Sequence, residues 1–262
     1  MVACAKKKIK WAARMRVLKN RLDLKVTIPA AILMMGFVFL PQTGIASAST
    51  SLTTTVSVPA LPVAGSSLAT WQSWASAQQA ALQSVTPQSL VAPSAGCTNS
   101  SVMLVPVVST GTAGIPAGIV TDAIQIVGSC GGAAGAPLGG NGIRPLLSSY
   151  CPNMTNCTYQ SATNGEVAVG TGTVGGNANY MGAAYTYTSS GSGYTSHAEL
   201  GTVSSGCSVG TLVANSSDSS LSNNQYVEIL WGPRSGSNTW SGTGWHYNGS
   251  GYTNLGTVCA AY

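Results

Sequence analysis

From residue 97 onward, short runs rich in Val, Thr and Tyr recur, each closed off by Gly, Ser or Asn. This punctuation limits the fold more than any other feature of the chain. The runs cover 102–108, 119–127, 166–174, 180–188, 199–203, 209–213, 225–231, 240–247 and 252–258. β-Branched and aromatic side chains suit a pleated, half-buried surface. Many short strands at this spacing predict a mainly β protein, an antiparallel β-sandwich or jelly-roll-like domain. Pro106 cannot donate to a ladder, so its run is expected at a sheet edge or a bulge.

One segment ahead of these runs has a different period. Within 66–86, Leu68, Trp71, Ala75, Leu82 and Val85 fall on one helical face, with Gln78 the single polar residue in the stripe. Ser66 or Ser67 can cap the start, and Pro87 ends it. This predicts a single N-terminal amphipathic helix whose stripe is buried against the domain. Residues 49–65 are rich in Ser, Thr and Pro without periodicity and read as a linker. The expected organisation is a leader over 1–48, the linker over 49–65, the helix and its connection over 66–96, and a mainly β domain over 97–262.

Charge separates the leader from the rest. Only 6% of the 262 residues are charged, against about 25% in soluble domains. Nine of the eleven Lys and Arg lie between Lys6 and Lys25. After residue 48 two bases, Arg144 and Arg234, face five acids, a net −3. The formal +5 of the whole chain therefore gives no support to nucleic-acid binding. The basic stretch runs into the largely apolar 26–40, then into a small-x-small pattern at Ala46 and Ala48, the layout of a secretory signal peptide. Cleavage is expected after Ala48. The alternative is an uncleaved anchor, which would be the protein's one link to a membrane, although a spanning helix needs about 20 apolar residues.

Without Cys4, which lies in the leader, six cysteines remain: Cys97, Cys130, Cys151, Cys157, Cys207 and Cys259. An even number behind an export signal implies disulfides and an extracellular or cell-surface setting. Cys151 and Cys157 close a small loop, and order along the chain suggests Cys97 with Cys130 and Cys207 with Cys259. With no CxxC and only His197 and His246 to join them, a zinc site is not expected, and no other metal or cofactor is implied.

Two motif matches carry little. Residues 170–175 fit GxGxxG, but Gly176-Asn177-Ala178-Asn179 is poor material for the helix that a dinucleotide site requires. Residues 206–210 fit GxSxG, but a strand-like Thr211-Leu212-Val213 follows where a nucleophile elbow needs a helix. With 32 glycines in the chain, matches of this kind arise from composition.

Two sets of residues carry more. Glu166, Glu199 and Glu228 lie in or beside strands, and a pair of them could hydrolyse glycosides or, with a glutamine, peptides. The plain alternative is that they are solvated or hydrogen-bonded side chains of an outer face. His197 shares a strand face with Glu199 if that strand extends far enough. The stretch 238–252 sets Trp240, Trp245, Tyr247 and Tyr252 among Gly, Ser, Thr and Asn. Flat rings beside hydroxyls and amides suit sugars, and Trp245 and Tyr247 fall on one strand face. The alternative is that these rings fill the sandwich core. Two functions follow from these sets. The first is a non-catalytic structural or adhesive protein that binds a glycan or cell-surface polymer, or copies of itself. The second is an extracellular hydrolase, a glycosidase or a glutamic-type peptidase, built on the strand carboxylates.

Overall fold

The computed structural model describes residues 54–131, 151–190, 193–203, 205–234 and 237–262. The expected signal peptide, its cleavage after Ala48, the anchor alternative, Cys4 and the Gly-rich residues 132–142 lie outside them, as does Arg144.

Among the described residues the chain is mainly β, with one α-helix and two antiparallel sheets. The helix α1 spans Leu68–Gln83, and a 3-10 turn follows at Pro87–Ser89. The strands are β1 (Cys97–Val108), β2 (Val120–Cys130), β3 (Met154–Ala162), β4 (Gly165–Val174), β5 (Asn177–Tyr187), β6 (Tyr194–Val203), β7 (Thr211–Asn215), β8 (Ser219–Leu221), β9 (Gln225–Trp231), β10 (Thr239–Tyr247) and β11 (Tyr252–Ala261). The first sheet runs in the order β1-β2-β9-β5-β4-β3. The second runs β11-β10-β6-β7, with β8 also on β6. Every strand pair is antiparallel.

Two strands, β3 and β8, lie where the sequence shows no strand-like run. β3 is an edge strand whose Thr, Asn, Gln and Ser stay largely in solvent, so little apolar alternation marks it. β8 has only three residues. The GxGxxG stretch is the end of β4 and its turn. Gly175 and Gly176 both have positive φ between the paired Val174 and Asn177, a two-residue hairpin connection that glycine suits.

Hydrophobic burial occurs on both faces of the first sheet. Val227, Ile229 and Trp231 of β9 point toward the second sheet and pack with Leu200, Trp240 and Val258. Tyr226 and Leu230 point the other way, among Val56, Leu90, Val91, Cys151 and Met154. A central strand covered on both faces reads as a nearly continuous apolar run, which is how Tyr226-Val227-Glu228-Ile229-Leu230-Trp231 reads. The described part of the Ser/Thr/Pro-rich stretch is not a free tether. Val56 is buried and donates its N–H to the Gly175 carbonyl at 2.7 Å, and Trp74 Nε1 donates to the Pro59 carbonyl at 3.1 Å.

The helix docks beside β2. Ser67 caps it, its side chain accepting from Thr70 N–H. Trp71, Trp74, Ala75 and Leu82 are buried, whereas Leu68, in the first turn, is 56% exposed. Buried Gln78 explains the polar gap in the stripe. Its Oε1 accepts from Asp122 N–H at 3.2 Å, and its Nε2 donates to the Asp122 carbonyl at 3.0 Å. The side-chain amide thus stands in for a strand partner where the pairing of β2 with β9 has ended. β1, with Pro106, is an edge strand.

Three disulfides join Cys97 to Cys130, Cys151 to Cys157 and Cys207 to Cys259. The first ties β1 to the end of β2, the second clips the entry to β3, and the third fastens β11 to the loop before β7. Such bridges persist in oxidising settings, consistent with an extracellular or cell-surface location.

Candidate functional site

The side of the second sheet facing away from the first carries a cleft of about 430 Å³. Alternation along β6 builds its floor. Ser196, Ala198 and Leu200 are buried toward the core, so His197 and Glu199 project outward. On β10 the inward positions include Trp240, Gly242 and Gly244, and Trp245 projects outward opposite His197. Gly244 is required there, because a Cβ would sit 2.7 Å from the Tyr185 ring across the sandwich. Close approach at glycine brings β10 down onto the first sheet and fixes the height at which Trp245 stands.

β11 contributes Tyr252, paired with Tyr247 of β10. Leu255 is an extra residue on β11 between the pairs Gly244–Gly256 and Trp245–Asn254. This bulge lets Leu255 turn inward without reversing the outward face that Tyr252 shares. The fourth wall is the crossing after β7. Ser216 N–H donates to the Ala198 carbonyl at 2.9 Å, and Ala198 N–H to Ser216 Oγ at 3.0 Å. That clamp places Asn215, Ser217 and Asp218 on the rim.

The polar groups of the cleft hold one another in place. Asp218 Oδ1 lies 2.9 Å from His197 Nδ1, and Asp218 Oδ2 accepts from the Tyr252 hydroxyl at 2.8 Å. Holding its proton against this carboxylate raises the Tyr252 phenol above its ordinary pKa. Trp245 Nε1 donates to Glu199 Oε2, a diagonal cross-strand contact. The His197 ring meets Tyr252 edge-on at 4.8 Å and lies 6.4 Å from Trp245, nearly parallel. Tyr247 and Tyr252 stand 5.3 Å apart, 38% and 52% exposed.

The structure separates the remaining candidates. Trp240 is a correction to the aromatic set, because it faces the core, fully buried 6.3 Å from Trp231. Odd spacing from Trp245 along a regular strand puts the two rings on opposite faces. The three glutamates do not converge either. Glu199 lines the cleft; Glu166 lies on β4 of the first sheet, near Ser161. Glu228 lies on β9 with no exposed surface. Glu199 shares its cleft with Asp218 instead. Asp218 escapes a strand-based reading of the sequence because it lies in a short crossing rather than in a run. The polar sequence Asn215-Ser216-Ser217-Asp218, straight after buried Val213 and Ala214, is the signal that marks it. The GxSxG serine, Ser208, sits between disulfide-bonded Cys207 and β7, so no elbow forms. His246 Nδ1 donates to the Thr195 carbonyl at 2.8 Å, and its ring stacks on Tyr194.

A larger hollow of about 600 Å³ lies on the far side of the first sheet, lined in part by Leu90, Pro93, Cys151, Asn153 and Met154. Asn153 begins an N-x-T triplet but is buried. Its Nδ2 donates to Glu228 Oε2 at 2.6 Å and to the Tyr226 hydroxyl at 3.2 Å, which in turn donates to Asn99 Oδ1. Burial pushes the Glu228 carboxyl up to about 8, against the opposing pull of the Asn153 hydrogen bonds. Glu228 Oε1 is buried with no hydrogen-bond partner among the described residues, which suits a carboxyl that keeps its proton.

No protein-family model and no curated protein matches this chain. Among solved structures, it is similar to a conjugative transposon lipoprotein from Bacteroides eggerthii at 9% identity, over 40% of this chain and 93% of that one. The TM-score of 0.19 is too low to bear on fold or function.

Proposed function

We propose that this is a secreted or cell-surface protein whose outer-face cleft binds a saccharide without turning it over. The observation that carries the reading is the half-buried Trp245 and the exposed Tyr247 and Tyr252, near hydrogen-bonding groups of His197, Glu199, Asn215, Ser217 and Asp218. Accessible rings next to anchored carboxylates match the two faces of a sugar: C–H groups against a ring, hydroxyls against acceptors. The cleft is open and shallow, which suits a segment within a polymer.

The test is an oligosaccharide array followed by calorimetry on the best ligand. Trp245→Ala is expected to weaken binding about tenfold, the equivalent of about 1.4 kcal/mol, while leaving the fold unchanged. Binding that survives both Trp245→Ala and Tyr252→Ala rejects the platform.

A hydrolytic reading has one observation in its favour: Glu199 and Asp218 share the cleft, as the two carboxylates of a glycosidase do. It predicts the release of new reducing ends from a polymer, lost in Glu199→Gln and in Asp218→Asn alike. Turnover of that kind would overturn the binding-only reading.

A further inference from the structure

We infer that the saccharide taken by this cleft carries amino groups in their cationic form, as in a glucosamine-type polymer; this rests on the saccharide reading above. The charge in the cleft is one-sided. Glu199 and Asp218 are both part of its lining, and among the described residues no Lys or Arg is; the group there able to bear positive charge is His197, 2.9 Å from Asp218. With Glu228 keeping its proton, acids still outnumber bases four to two after residue 48, so the wider field does not compensate. A uronic or sialic saccharide would bring a like charge into contact with two fixed carboxylates. A neutral saccharide would leave Glu199 without a counter-charge and Asp218 with His197 alone.

The anchoring of these carboxylates strengthens the case. His197 and Tyr252 each occupy one acceptor position of Asp218, and Trp245 occupies one of Glu199. An ionised carboxylate offers about four such positions, so both groups are held in place with acceptor capacity left for a ligand. The same residues provide the second element of cation recognition. An ammonium over the face of Trp or Tyr is attracted by the ring quadrupole, by about 0.5–1 kcal/mol at exposed sites; Tyr252, 52% exposed, stands beside Asp218, and half-buried Trp245 beside Glu199. Rings and carboxylates thus favour one ligand class jointly: a flat sugar for stacking, bearing an ammonium for the acids.

The experiment compares four tetrasaccharides on the intact protein by calorimetry: N-trimethylated glucosamine, its N-acetylated counterpart, a glucose oligomer and a uronic-acid oligomer. The trimethylated form keeps its charge at any pH, so titrations can be run at about pH 7.5, above the ordinary histidine range. The cationic ligand is expected to bind about tenfold more tightly than the N-acetylated one at roughly 20 mM salt. That margin should shrink several-fold at roughly 500 mM, where screening acts within about 4 Å. Glu199→Gln and Asp218→Asn should each weaken the cationic ligand more than the N-acetylated one and so reduce the margin, and Trp245→Ala should weaken every ligand. Equal affinity for the cationic and N-acetylated forms, or a margin unaffected by salt and by both acid substitutions, overturns the inference and leaves the saccharide reading standing. Binding of none of the four overturns both.

Discussion

Glu228 shows how one side chain can set the conditions under which the fold is stable. Its carboxyl is buried among Tyr226, Asn153 and the β9 backbone, and in the folded chain it titrates at about 8 instead of 4.5. The folded state therefore holds a proton that the unfolded chain has already released between those values, and stability falls as pH rises through that window. The slope integrates to an upper bound of about 5 kcal/mol. Denaturation measured at about pH 5 and about pH 8.5 should show the loss for the native chain. Glu228→Gln, which keeps an acceptor for Asn153 and cannot ionise, should lack most of it. A native chain equally stable at both ends would contradict the buried, protonated carboxyl. At this scale the sequence was partly legible. Counting parity from Trp245 places Tyr247 on its face and Trp240 on the other. Which face is buried depends on Trp231, a residue in another strand of another sheet.

At the scale of elements, the contact between α1 and β2 turns on Gln78. A polar residue in an apolar stripe can mark a weak helix or a specific partner, and here it is the partner. The Gln78 amide pairs with both backbone groups of Asp122, while Gln79 and Gln83 donate to the Asp122 carboxylate. Gln78→Ala leaves a buried N–H and C=O without that partner and should cost about 1–3 kcal/mol. Gln78→Glu restores the acceptor only, so it should not recover the full loss. Equilibrium denaturation of the two variants provides the comparison. The helix and most strands were legible because their periods are strong over several residues. β3 was not, since an edge strand that stays in solvent has no apolar face to declare it. The Asp218 crossing was not, since its position comes from the Ser216–Ala198 clamp rather than from any period.

Over the whole molecule, the sandwich is closed unevenly. β3 and β11 meet at one side, where Thr163 N–H donates to the Leu255 carbonyl, and α1 with Ile115 and Ile119 fills the core near β2. The final strand depends on the bridge from Cys207 to Cys259, which closes a loop of 52 residues. Replacing both cysteines by serine should cost about 4 kcal/mol. Amide exchange should then rise first along β11 and, through Tyr252, at the cleft, whereas β9 in the buried centre should be the last to respond. Exchange rising uniformly across both sheets would show that β11 is no separate unit.

The position of Pro106 bears on what the free edge of β1 can pair with. Asp122 turns its backbone groups toward Gln78, so its partner across the ladder, Pro106, turns its own toward the free side of β1. At that point the border of the sheet has no N–H to offer an incoming strand. Nearby Met103, Val108 and Val120 are exposed, and proteins usually guard such a margin with lysines. After residue 25 this chain has none, and at this edge the guard available against an added strand is the missing N–H of one imino acid.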